Sequence, residues 1–188
     1  MAKIAIVYHS GYGHTKKVAD LVAEGAKSSG AEVSVYDAET AIVKIDELDN
    51  ADAIIFGSPT YMGGVSAKFK EFCDATSKKW FTQAWKNKIA AGFTNSGSLS
   101  GDKQGTLQYL VTFAMQHGMV WVGQGEPPAS STEHGGKPEQ INRMGSQTGL
   151  MTQSDNAAPE ITPSKGDIET AKLFGKRVAE TTVKWSGK

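Results

Sequence analysis

The sequence predicts an α/β protein: a parallel sheet of five strands, doubly wound, with helices on both faces and right-handed crossovers. Three observations carry this reading. Short apolar runs alternate with stretches of helical period along most of the 188 residues. The runs at 4–8, 52–58 and 88–94 are almost wholly apolar, as strands buried on both faces are. Each of these runs breaks off in a loop rich in Gly, Ser and Thr, and ligands of such sheets sit beyond the carboxyl ends of the strands.

The first strand, Ile4 to Tyr8, ends in Ser10-Gly11-Tyr12-Gly13-His14-Thr15, and a helix follows with Val18, Leu21, Val22 and Ala26 on one face. Gly30 suits a left-handed stop to that helix. Glu32 to Asp37 alternates polar and apolar residues, the pattern of an edge strand. A short helix is expected around Ile45–Leu48. The third strand, Asp52 to Ser58, runs into Pro59-Thr60-Tyr61-Met62-Gly63-Gly64, read as a loop that neither helix nor strand would tolerate. Ser66 is the N-cap of a helix over 67–77 that buries Phe69, Phe72 and Cys73. Trp80 to Trp85 reads as an aromatic-rich linker. The fourth strand, Lys88 to Thr94, is followed by the loop Asn95 to Asp102 and a helix over 104–116. Met119 to Gly123 is the fifth strand. Residues 124–165 lack periodicity, and a structureless stretch of that length inside a compact domain is functional or a misreading. An amphipathic helix over 167–180 closes a single domain spanning 1–188, with a frayed tail.

Composition narrows the function. Twenty basic and twenty acidic side chains leave no net charge, which removes the global attraction to nucleic acid or to an anionic membrane surface. No apolar run approaches a membrane span or a signal-peptide core, so no membrane insertion and a cytoplasmic location are expected. The single cysteine, Cys73, agrees with a reducing compartment, and the four histidines form no metal-ligand spacing.

The loop after the first strand is an anion site by its chemistry. Its glycines let the backbone curl, its hydroxyls donate, and the free N–H groups of the following helix carry partial positive charge. Three phosphate ligands compete for it. A nucleotide P-loop needs G-x-x-x-x-G-K-[ST], which is absent. A dinucleotide fingerprint would use Gly11 and Gly13, with Asp37 for the ribose, but its third glycine is Lys16. A mononucleotide loop, in which Ser10 and Thr15 help to wrap one terminal phosphate, also accounts for the other two polar loops.

Together, the loops at 10–15, 57–67 and 94–98 and the run His117-Gly118-Met119-Val120 resemble the flavodoxin-like FMN proteins, particularly WrbA-type NAD(P)H:quinone oxidoreductases. The resemblance implies the sheet order 2-1-3-4-5. It implies FMN, held by Ser10, Gly11, Tyr12, Gly13, His14 and Thr15 at the phosphate. Pro59, Thr60, Tyr61, Met62 and Gly63, with Thr94, Asn95, Ser96, Gly97, Ser98 and Leu99, would enclose the ring. NADH or NADPH would be the donor and a quinone-like acceptor would follow, with Tyr12 near the nicotinamide and Trp80 near the acceptor. The resemblance also implies a homo-oligomer whose sites neighbouring subunits complete. Gln116 stands where that family has a flavin-contacting histidine. No catalytic side chain is required, because the flavin carries the hydride itself. A flavodoxin-like electron carrier, with no substrate of its own, is the alternative.

Overall fold

The computed structural model describes residues 1–129 and 135–187. Strand β1 (Lys3–Tyr8) leads into helix α1 (His14–Ser28), and β2 (Glu32–Asp37) into α2 (Ala38–Val43) and a 3-10 turn at Ile45–Asn50. Strand β3 (Ala53–Tyr61) turns back as the two-residue β4 (Gly64–Val65), followed by α3 (Ala67–Ala75) and α4 (Ser77–Phe81). Then come β5 (Ile89–Ser96), α5 (Lys103–Gln116), β6 (Val120–Trp121), β7 (Leu150–Gln153) and α6 (Lys165–Ser186).

The sheet runs β2-β1-β3-β5-β6, parallel throughout, which is the expected order once the small hairpin strand β4 is set aside. Alternation along the buried strands divides the apolar residues between two layers. Ile4, Ile6, Ile55 and Phe93 pack under α1 and α6 with Val18, Val22, Phe174 and Val178. Ala5, Val7, Ile54 and Phe56 pack on the other face with Phe69, Phe72, Trp85, Leu107, Leu110 and Phe113. Strand β2, at the edge, keeps Glu32, Ser34 and Val35 exposed.

Helices α1 and α6 cross at two glycines. A Cβ on Gly25 would lie 1.9 Å from the Lys172 carbonyl oxygen, and one on Gly175 would lie 2.0 Å from that of Val22. Only hydrogen fits at either place, so the two backbones touch and the axis of α1 is fixed against the sheet.

The structure corrects several expectations. Pro59 to Tyr61 are strand, not loop: Pro59 stays in register with Asn95, and Thr60 and Tyr61 pair antiparallel with Val65 and Gly64. A proline forfeits one ladder donor but keeps a φ that a strand accepts. Met62 (φ 49) and Gly63 (φ 82) close the hairpin with two successive left-handed residues, the geometry of its tightest turns. The linker at Trp80 is partly helical, and Trp85 is fully buried, its indole N–H donating to Asp49. The first helix after β2 starts at Ala38, because the Asp37 carboxylate caps it by accepting from the Thr40 N–H. Helix α6 continues to Ser186, with Trp185 donating to the Asn87 carbonyl.

The stretch 124–165 is not structureless. The last strand position is shared by two pieces placed end to end along β5: β6 pairs with Ile89–Ala90, and β7 pairs with Phe93–Ser96. The chain leaves the sheet after Trp121 and returns at Leu150, and the two ends of the excursion meet. Gln124 N–H donates to the Gln147 carbonyl, and the Trp121 indole to that of Thr148. A strand assembled from separate pieces has no continuous periodic run to read.

Candidate functional site

At the carboxyl end of the sheet, a cavity of about 540 Å³ opens between the loop after β1, the ends of β3 and β5, and the segment after β7. Its floor at one end is the start of α1. Gly13 takes a left-handed φ of 89° there, and its N–H donates to Ser10 Oγ at 3.0 Å. The N–H groups of His14, Thr15 and Lys16 have no acceptor among the described residues. The Thr15 hydroxyl, on a residue 2% exposed, likewise has no protein partner there. This is a donor set without an acceptor, at the positive end of a fifteen-residue helix.

Among the described residues, no lysine or arginine lines the cavity. Neutral donors and a helix terminus suit one terminal phosphate, whereas a triphosphate loop uses a lysine. The acid that kept a dinucleotide in play is engaged elsewhere: Asp37 caps α2. The cradle therefore fits a mononucleotide phosphate.

At the other end, Thr60, Asn95 and their neighbours form a hydrogen-bonded frame. The Thr60 hydroxyl joins those of Thr94 and Thr106, each at 2.8 Å. Asn95 Oδ1 accepts from Thr152 Oγ1 at 2.8 Å and Ser154 Oγ at 3.0 Å, so the amide nitrogen is the spare donor of this buried side chain. Tyr61 closes the mouth, its hydroxyl against the Gly11 N–H, and burial followed by the nearby Tyr12 raises its pKa. A Cβ on Gly11 would come within 2.6 Å of that hydroxyl, which explains a glycine beside it. Tyr12 is exposed and meets Tyr61 edge to face at 6.5 Å.

The far wall comes from Ser154, Asp155, Asn156, Ala157, Ala158 and Pro159, which sequence reasoning did not single out. His14 Nε2 meets the Ala157 carbonyl at 2.7 Å, tying this wall to the phosphate loop. No local pattern marks these residues; β7 carries them to the cavity by pairing with β5.

The structure brings Ser10, Tyr12, His14, Thr15, Pro59, Thr60, Tyr61, Asn95, Ser96 and Gly97 to this cavity. Gly11, Gly13 and Thr94 shape its backbone and frame. Met62 stands fully exposed at the hairpin tip. Gly63 and Leu99 line an adjoining cavity of about 620 Å³ with Arg143, Met144 and Met151. Ser98 turns its carbonyl to Lys103.

Trp80 is not at the cavity. Its helix is tied through Lys79 to Asp46 and Asp49, which precede β3 at the amino edge of the sheet. It lines a separate cleft with Cys73, Tyr109, Gln116 and His117. Burial pushes the Cys73 thiol up to about 12, which leaves it an unreactive core residue. His117, just past the end of α5, is 2% exposed, and burial lowers its pKa to about 4. Thr76 donates its hydroxyl proton to the Cys73 carbonyl at 2.6 Å, so His117 Nε2–H donates to Thr76 Oγ1 at 3.0 Å. Its Nδ1 is left without a partner among the described residues. His134 lies outside the described residues. Among the described residues there is no cluster of metal-ligating side chains, and no helix is long and apolar enough to cross a membrane.

Residues 43–134 match the family model described as NADPH-dependent FMN reductase. Flavodoxin FldP of Pseudomonas aeruginosa (strain UCBPP-PA14) is 47% identical over 181 residues, covering 95% of this chain and 96% of that protein. An NAD(P)H dehydrogenase (quinone) of Archaeoglobus fulgidus is 35% identical over 207 residues, covering 98% and 99%. The crystal structure of a flavodoxin, WrbA-like protein from Agrobacterium tumefaciens superposes with a TM-score of 0.76 at 45% identity, covering 98% of this chain and 99% of that one.

Proposed function

The chain belongs to the WrbA-type, flavodoxin-like family, and from that premise we propose that it is an FMN-dependent oxidoreductase that passes reducing equivalents from NAD(P)H to a quinone-like acceptor. One observation carries the reading: an uncapped helix start and a Thr15 hydroxyl without a partner among the described residues share a cavity with the spare Asn95 amide donor, and no lysine or arginine of the described residues lines it. A phosphate at one end and the polar edge of a ring at the other complete both donor sets.

FMN supplies the hydride chemistry when bound, and the protein binds and orients it. Ser10 holds the curl by accepting from Gly13. Thr15 and the first N–H groups of α1 would hold the phosphate. Asn95, with its oxygen occupied by Thr152 and Ser154, would offer its amide nitrogen to a ring acceptor. Tyr61 covers one side of the mouth, and the exposed Tyr12 stands where a nicotinamide would approach.

Trp80 and Gln116 face the separate cleft, so in this reading they serve an acceptor only from a neighbouring subunit of a homo-oligomer. The single, buried cysteine suits a cytoplasmic setting. Anaerobic stopped-flow mixing of the FMN-loaded protein with NADH or NADPH should bleach the flavin, and a quinone should restore it. Slow bleaching by both nicotinamides would overturn the reading. The relative named flavodoxin FldP favours a second reading, an electron carrier. A carrier would exchange single electrons with a protein partner and oxidise neither nicotinamide. Carriers commonly meet basic partners through an acidic face, and this chain has no net negative charge.

A further inference from the structure

The end of β5 and the loop after it carry four successive carbonyl groups, Ser96 to Leu99, and every one accepts a hydrogen bond. Ser96 O accepts from the Ser154 N–H at 3.1 Å, and Gly97 O from Gln153 Nε2 at 2.9 Å. Ser98 O and Leu99 O both accept from Lys103 Nζ, the second at 3.1 Å. The N–H groups of Gly97, Ser98 and Leu99 have no acceptor among the described residues. The loop is thus sorted by polarity, its acceptors tied back and its donors free.

Lys103 is an unexpected residue for this task. It is the first residue of α5 and is fully buried, so its ammonium group loses its hydration and gains carbonyl oxygens in return. Burial lowers its pKa to about 8; Asp167 on α6 opposes that shift, and Arg143 from the excursion between β6 and β7 adds to it. A methionine would fill the space without the desolvation cost, so packing does not account for a lysine here. Gln153 is held as firmly. Arg143 donates to its Oε1 at 2.9 Å while pairing with Asp167, and the Gln153 N–H donates to Asp167 Oδ2 at 2.9 Å. That ion pair is itself buried, with side chains 5% and 1% exposed.

We propose that Lys103 and Gln153 are positioning residues of the cofactor site, which hold the carbonyls of 97–99 away from the cavity so that the loop meets the flavin ring with N–H groups alone. This rests on the FMN reading given above. A ring that gains electron density on reduction is stabilised by donors already in place and repelled by carbonyls that swing towards it. Loss of either residue therefore weakens the reduced form more than the oxidised one.

The test is Lys103→Met, with Gln153→Met as the variant less demanding of the fold because that residue is only half buried. Two readouts apply: FMN affinity by fluorescence titration and the midpoint potential of bound flavin. A potential lower by about 30 mV is expected for a tenfold greater loss of affinity by the reduced flavin. If unaltered protein binds no FMN, the underlying reading fails. If it binds FMN and both variants keep the potential, this proposal is overturned. A Lys103→Met protein that does not fold leaves the decision to Gln153→Met.

Discussion

Replacing Thr15 by valine isolates the phosphate end of the site. The side chain is 2% exposed, and its hydroxyl makes no bond to the described protein, so valine matches its shape and removes nothing from the apoprotein. Urea denaturation of the apoprotein should therefore give a stability within about 1 kcal/mol of the parent. The bound state differs. A hydroxyl donating to a phosphate is a hydrogen bond to a charged group, contributing about 1.5–3 kcal/mol, which is about 10- to 150-fold in Kd. Fluorescence titration of the apoprotein with FMN should show a loss in that range, whereas riboflavin, which lacks the phosphate, should bind parent and variant alike. An equal loss for both ligands would refute the argument, because it would place the ring, and not the phosphate, beside Thr15. An unchanged FMN affinity would refute it as well.

Other outcomes follow from the same geometry. His117 titrates near 6.5 when unfolded and near 4 when folded. Between those values the unfolded chain binds more protons, so stability falls as pH drops, by up to about 3 kcal/mol. His117→Gln should remove that part of the pH dependence in urea titrations at pH 7 and pH 4.5. Gly175→Ala pushes a methyl into the Val22 carbonyl and should cost about 1–3 kcal/mol or more in thermal or urea denaturation. Trp80→Ala, which removes a side chain from the separate cleft, should leave the FMN Kd unchanged in the same titration.

Where sequence and chemistry are local, the sequence was sufficient. The turn from β1 into α1 is legible because Gly11, Gly13, Ser10 and Thr15 are contiguous, and a helix start attracts an anion whatever the remainder of the chain does. The apolar runs of β1, β3 and β5 identified the buried parallel sheet for the same reason, since periodicity is a property of neighbours. The limits appear where local pattern is overruled by pairing. Pro59 to Tyr61 reads as a breaker, yet the ladder with Asn95 and the turn at Met62-Gly63 keep it in the sheet.

The tertiary structure alone decided the rest. The sequence by itself established an anion-binding turn at the head of a parallel α/β sheet, with two further polar loops on the same edge. Only the fold could show that Leu150–Gln153 completes the edge strand begun at Val120, because β5 is the template for both pieces and nothing between them in sequence connects them. That pairing delivers Ser154 to Pro159 to the cavity and Gln153 to the loop it holds. It also fell to the fold to send Trp80 to the amino edge of the sheet, through the ion pairs of Lys79. A turn binds through its own backbone and can be read in order; a cavity wall binds through residues that only the sheet brings together.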